Sequence, residues 1–291
     1  MKKIIACMII MLFLIITLTG CKQMEKTDSE FTIVTSFYPM YIIAKNLVQG
    51  IPNIEVNNMA DQSIGCLHDY TLKTSDLVKI EKADVFIING LGIENFTTTI
   101  TDNYPEMKII NASSNITNLI KENNITNAHV WLDIENYMKQ IENIANKLAS
   151  IDEENSSKYL ENSQIYQEKI KELSKRIKEL TKQRKKCVSF SESLEYLSNS
   201  MNLEIKTITV EHEHNGISAE KLSDTIEYIK NNNIKNIILD ENTPDNNAQV
   251  IASETNAKIY IMKAGLSGND DLNSYVDIMN ENLKQVEKME E

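Results

Sequence analysis

Four histidines are the residues whose type and setting could hold a metal ion: His68, His129, His212 and His214. Each falls in a segment expected to be a loop after a strand or before a helix. His68 lies in Gly65-Cys66-Leu67-His68-Asp69-Tyr70, ahead of Thr74-Ser75-Asp76-Leu77. His129 lies in Asn127-Ala128-His129-Val130-Trp131-Leu132-Asp133, two residues from the only tryptophan. Neutral imidazole is a nitrogen donor suited to zinc, and its other ring nitrogen needs an acceptor, for which Asp69 and Asp133 are at hand. In Glu211-His212-Glu213-His214 the two imidazoles are two residues apart, so an extended segment presents them on one face. The plain alternative there is a flexible acidic loop that collects metal loosely. Cys66 is a further donor by type. The chain carries no nucleophile–base pair and no oxyanion motif, so nothing in it points to turnover.

The elements that must position these residues follow an α/β rhythm. Strands are expected at Phe31–Thr35, Ile54–Val56, Asp84–Ile88 and Met107–Ile110, where apolar and β-branched residues run together. Between them lie helices at Met40–Gln49, with Pro39 in its first turn and Gly50 at its end, and from Thr74 to about Lys82. Asp133 caps a helix to about Ser150. Glu153 to Arg184 has no Gly or Pro, and Tyr166, Ile170, Leu173, Ile177 and Leu180 recur at alternating spacings of four and three, which reads as one long amphipathic helix. The rhythm then restarts, with strands at Lys186–Phe190, Glu204–Val210, Ile234–Leu239 and Ala257–Met262. Helices are expected at Glu192–Asn199, Ala219–Asn231 behind a Ser218 cap, Asn246–Glu254 and Leu272–Glu290. The expected architecture is therefore α/β: two lobes, each with a mostly parallel sheet, joined by one long helix. Ligands of such sheets sit beyond the carboxyl ends of the strands, which in a two-lobed protein can face one cleft.

The chain's 291 residues suffice for a core without disulfide staples. With 30 Lys+Arg against 42 Asp+Glu the net charge is −12, which disfavours nucleic acid as a partner; the one compact basic run is Lys182 to Lys186. At the N-terminus, Lys2 and Lys3 precede an apolar run from Ile4 to about Leu18, shorter than the about 20 residues that span a bilayer. A charged start and a short apolar run make a secretory signal. Leu18-Thr19-Gly20-Cys21 resembles a bacterial lipoprotein cleavage site, with lipid joined to the Cys21 thiol and cleavage before it. Loss of 1–20 would remove Lys2 and Lys3 and no acid, leaving the mature chain two charges more acidic. Cys66 and Cys187 would then lie where a disulfide is permitted. The resulting organisation is a signal peptide over 1–20, a lipid-anchored tether over 21–30, a first lobe over 31–150, a linking helix over 151–185 and a second lobe over 186–291.

The strings "HDYTLKTSDL" and "AHVWLD" resemble the two histidine motifs of the zinc and manganese solute-binding lipoproteins of ABC transporters. "SFYPMYIIAKNL", "ADVFIINGLGIENF", "NAQVIASETNAKI" and "SYVDIMNENL" fit the same family in the same order, over roughly Phe31 to Val286. The resemblance implies two α/β lobes bridged by a rigid helix with the metal between them. It implies capture of a divalent metal outside the cytoplasm by a lipid-anchored monomer, and delivery to an ABC permease. It places His68 and His129 as the two ligands of the first lobe. Where the family carries its third ligand, a His or Glu, this chain has Ser191, and Glu192 one residue on. The fourth family ligand, an acid near the last strand, has no counterpart in Ile261-Met262-Lys263-Ala264-Gly265. Glu192 and one of His212 and His214 are therefore candidates to complete the site, with Asp240 and Glu241 as weaker ones; Cys66 matches no family ligand. Two His with a further nitrogen and a carboxylate suit zinc, whereas two His with two carboxylates would lean toward manganese. Zinc is the expected metal, manganese the alternative. A surface adhesin built round the long helix, with only weak metal binding, is the reading from another class.

Overall fold

The computed structural model describes residues 31–62, 67–122, 124–208, 218–242 and 246–290. Cys21, Cys66, His212 and His214, with the expected signal peptide and tether, lie outside them.

Strands β1 (Phe31–Thr35), β2 (Ile54–Asn58), β3 (Val85–Ile88) and β4 (Lys108–Asn111) form a four-stranded parallel sheet in the order β2-β1-β3-β4. Strands β7 (Lys185–Ser189), β8 (Leu203–Thr207), β9 (Asn236–Asp240) and β10 (Lys258–Met262) form a second in the order β10-β9-β7-β8. The inner strands β3 and β9 are buried at every position, β3 as an unbroken apolar run and β9 as Ile-Ile-Leu between Asn236 and Asp240. A polar hairpin, β5 (Lys121–Glu122) with β6 (Ile125–Thr126), lies between the two sheets in sequence; it turns at Asn124, whose φ of 67° asparagine tolerates better than most residues.

The helices are α1 (Tyr38–Leu47), α2 (Thr74–Glu81), α3 (Thr97–Asn103), α4 (Ile134–Ile151), α5 (Ser156–Leu180), α6 (Leu197–Met201), α7 (Ala219–Asn231), α8 (Asn246–Thr255) and α9 (Ser274–Lys288). Asp133 caps α4 by accepting from the N–H groups of Glu135 and Asn136, and Ser218 caps α7 by accepting from Lys221 N–H. The long helix α5 is shorter than the expected 153–184. Glu153–Asn155 form a separate turn, and the chain leaves the helix at Thr181 to enter β7. The C-terminal correction has a tertiary cause: the Asn202 side chain takes the carbonyls of Thr181 and Lys182, drawing the backbone toward the second sheet. Thr181 is buried, and Leu180, expected on the apolar stripe, is 51% exposed. The remaining stripe residues Tyr166, Ile170, Leu173 and Ile177 are buried, extended N-terminally by Tyr159.

One continuous apolar core runs from the first sheet across α5 to Cys187, Leu194, Tyr196, Ile238 and Met262 of the second, so the two lobes share an interior. A smaller core under α7 and α8 holds Val188, Ile229, Ile237 and Ile251. The lobes are also joined by direct contacts. Tyr196 Oη donates to the carbonyl of Asn127 at 3.0 Å. After β10 the chain crosses back over the first lobe, where Tyr38 Oη donates to the carbonyl of Asn269 at 2.7 Å and the ring of Tyr275 stacks on Tyr137 at 3.6 Å.

Candidate metal centre

Three of the expected residues converge at the carboxyl ends of the strands. His68 lies in a single tight turn, Leu67–Asp69, anchored by the buried Leu67 and by Asn95, whose amide donates to the His68 carbonyl at 2.8 Å. His129 precedes the turn Val130–Leu132, whose three side chains are all buried, so its own ring is held in the interior at 2% exposure. Glu192 opens the turn Glu192–Leu194 after β7. One ligand atom from each of His68, His129 and Glu192 lies within 4.8 Å of the others. His68 Nε2 is 3.8 Å from Glu192 Oε1, and the two imidazole rings are 5.6 Å apart.

The trio has one fixed wall and one open side. Burial, helped by the nearby His68, pushes the His129 ring down to a pKa of about 3, so it is neutral and offers a lone pair. The His68 and Glu192 side chains are 42% and 55% exposed. Ligand atoms around a tetrahedral zinc stand about 3.4 Å apart. Closure from the present spacing therefore needs a contraction of about an ångström, which the two exposed side chains can supply by rotation.

The neighbouring candidates have other partners. Ser191, which the resemblance sets against the third ligand, turns inward: its Oγ accepts from Ser193 N–H and lies 2.6 Å from Ser193 Oγ. That cap leaves the next residue, Glu192, facing the cleft. Asp240 is buried behind this turn, accepting from Ser193 Oγ at 2.7 Å and Asn242 N–H at 2.9 Å. Glu241 faces Lys263 Nζ at 3.8 Å. Burial raises the Glu241 carboxyl, with Lys263 opposing. Cys187 is buried in β7, and burial pushes its thiol up to about 12, far from a thiolate.

Asp133 does not support His129 as expected; its carboxylate is spent on the α4 cap and on Asn199 Nδ2 at 2.7 Å. The Asp69 side chain lies outside the described part. The group facing His129 Nδ1 is the side-chain amide of Asn127, with Oδ1 at 2.9 Å. Sequence reasoning missed Asn127; its one local signal is the Asn-x-His spacing, which also lets Oδ1 accept from the His129 N–H at 3.0 Å.

The turn below the site holds a second buried acid, also unforeseen. Glu94 accepts from Ser36 Oγ at 2.8 Å, Asn89 N–H at 2.7 Å and Gly90 N–H at 2.9 Å. Burial outweighs these donors and pushes its carboxyl up to about 7, from 4.5. The folded state thus keeps a proton that the unfolded chain releases. Stability from this group is complete below the unfolded value and is lost as pH rises through about 7, by about 3 kcal/mol in all. Thermal unfolding of the wild type and Glu94→Gln across that window is expected to show the wild type losing stability relative to the variant; parallel curves would refute the assignment.

Two α/β lobes with two imidazoles and a carboxylate converging between them define a two-lobed binding protein with a candidate metal site in its cleft. The profile of the family described as zinc-uptake complex component A, periplasmic (ZnuA) matches residues 33–289, and the chain belongs to this family. It is 28% identical to the manganese-binding lipoprotein MntA of Halalkalibacterium halodurans over 147 residues, 48% of this chain and 47% of that protein, so the match spans about half the length of each. Among solved structures, FpvC of Pseudomonas aeruginosa in complex with Mn2+ superposes with a TM-score of 0.79 at 22% identity, covering 89% of this chain and 97% of that one. Zn(II)-bound AdcA of Streptococcus pneumoniae gives 0.76 at 24% identity, covering 89% of this chain and 57% of that one. At these identities the two likenesses establish the fold. Among the described residues no helix is long and apolar enough to cross a membrane.

Proposed function

We propose that the protein captures a divalent metal, zinc in preference to manganese, outside the cytoplasm and delivers it to the membrane permease of an ABC transporter. In this reading it works as a monomer held at the membrane by lipid on Cys21. The observation that carries the proposal is the meeting of His68, His129 and Glu192 across the cleft. Two nitrogens and one oxygen, with Asp240 and Glu241 engaged elsewhere, favour zinc over the more oxygen-rich sets that suit manganese. His212 or His214 would supply a further nitrogen. Metal-binding relatives agree with the class and divide on the metal, since one is named for manganese and another for zinc. The open side supplies an exit as well as an entrance, as a carrier needs.

The test is calorimetric titration of chelator-stripped residues 22–291 with zinc, followed by competition with manganese. One submicromolar site per chain that manganese displaces poorly is expected. Only weak, multiple binding would overturn the proposal and favour the adhesin reading. Glu192→Ala is expected to weaken zinc about 10- to 100-fold; full affinity in that variant would remove Glu192 from the ligand set. A second readout is optical. Trp131, the only tryptophan, has its ring 5.2 Å from that of His129. Nickel quenches indole emission at short range, so it is expected to dim Trp131 saturably in the wild type and not in His129→Ala.

A further inference from the structure

Asn127 makes four polar contacts with its side-chain amide, and three of them leave no choice of direction. Nδ2 donates to the carbonyl of Glu192 at 2.8 Å and to Glu195 Oε2 at 2.9 Å, both on the second lobe. Oδ1 accepts from the backbone N–H of His129 at 3.0 Å. A carbonyl can only accept and a backbone N–H can only donate. Turning the amide over would set its NH2 against a donor and its oxygen against two acceptors, each mismatch costing about 1–3 kcal/mol when buried. The fourth contact, His129 Nδ1 at 2.9 Å, is the one whose polarity can adapt.

We infer that Asn127, oriented by Glu195 and the Glu192 carbonyl, is a positioning residue that holds the His129 proton on Nδ1 and so offers Nε2 to the metal. The consequence couples the lobes. Asn127 and His129 sit on the first lobe, while the groups that set the direction of the amide sit on the second. The Glu192 turn contributes twice, through its carboxylate in the trio and through its carbonyl on Asn127. The ligand nitrogen of one lobe is thus selected by its packing against the other before any metal arrives, and the entropy of orienting the ring is met during folding. The inference rests on the metal-site reading for its purpose, though not for its geometry.

Long-range 1H–15N correlation spectra of metal-free, histidine-labelled protein test it directly. Wild-type His129 is expected as the Nδ1–H tautomer alone. Asn127→Leu, similar in size without the polar head, is expected to show the Nε2–H tautomer as well, with zinc affinity down about 10- to 100-fold. A pure Nδ1–H tautomer and unchanged affinity in that variant would overturn the inference. A second variant guards against one that fails to fold. Asn127→Asp sets an acceptor oxygen against His129 Nδ1 whichever way its carboxylate turns, so it is expected to keep the Nδ1–H tautomer alone. A role in packing alone predicts no difference in tautomer between Asn127→Asp and Asn127→Leu, and an Nε2–H tautomer in folded Asn127→Asp would overturn the inference. If the wild type binds no zinc, the proposed function falls, and the metal-free tautomer of Asn127→Leu still decides this inference by itself.

Discussion

Replacing His129 by alanine is expected to abolish tight metal binding, with a loss of at least about 100-fold, the largest effect of any single change at the site. The argument is one of substitution. His68 and Glu192 are exposed, and water or a neighbouring side chain can stand in for either. His129 is buried, and no solvent can take its place on the closed wall. It is also the ring that burial keeps neutral, so it binds without displacing a proton at any pH above about 3. The measurement is the zinc titration already described, repeated on His129→Ala and His68→Ala. The His129 change is expected to cost more than the His68 change. Equal losses would mean that burial confers no advantage, and retained binding in both would mean that the metal sits elsewhere.

The largest effect on stability is expected from Trp131→Ala. The indole is 1% exposed, lies edge-on to Phe37 at 5.1 Å and donates from Nε1 to the carbonyl of Ala264 at 2.8 Å. Its removal opens a cavity between the lobes and strips the Ala264 carbonyl of this donor. Trp→Ala changes in cores cost about 3–5 kcal/mol. At about 2–4 °C per kcal/mol, the thermal midpoint is expected to fall by roughly 10 °C. Trp131→Phe keeps most of the ring volume and loses the N–H, for which about 1–3 kcal/mol is expected. Calorimetric unfolding of the three proteins checks the ordering. A Trp131→Ala midpoint close to that of the wild type would show that the lobes are held by other contacts.

What the sequence made legible was what depends on neighbours in the chain. The β-branched runs at Phe31–Thr35 and Asp84–Ile88 fall within a residue of β1 and β3, because β-branched and aromatic residues fit a pleated, covered surface. The Asp133 and Ser218 caps were readable because a cap is a bond to a backbone group two or three residues away. The C-terminal end of α5 was not, because Asn202 ends it from across the fold. The helix α3, Thr-Thr-Thr-Ile-Thr-Asp-Asn, was missed because its residues are weak helix formers and only Ile100 is buried. At the site, the resemblance pointed to His68 and His129, and local counting left Ser191 and Glu192 one residue apart. The inward turn of Ser191 separates them, and that turn is a matter of Ser193 and Asp240, the latter on another strand. Asn127 was missed because its partner Glu195 lies 68 residues along the chain.

The return of the chain over the first lobe after β10 sets the order in which the protein can be finished. Tyr38 waits for Asn269, 231 residues later, and Asn46 for the carbonyl of Leu272. Tyr137 gains its stacking partner only at Tyr275. The chain emerges from its N-terminus, so until the last segment arrives Tyr38 and Tyr137 lack these partners, with Tyr166 alone of the later rings already packed edge-on to Tyr137. Closing contacts this distant costs loop entropy and time. The chain is therefore late-sealing: nearly every residue must have arrived before the fold can lock, and a product cut short before α9 would leave those rings without their last partners for any protease that samples it.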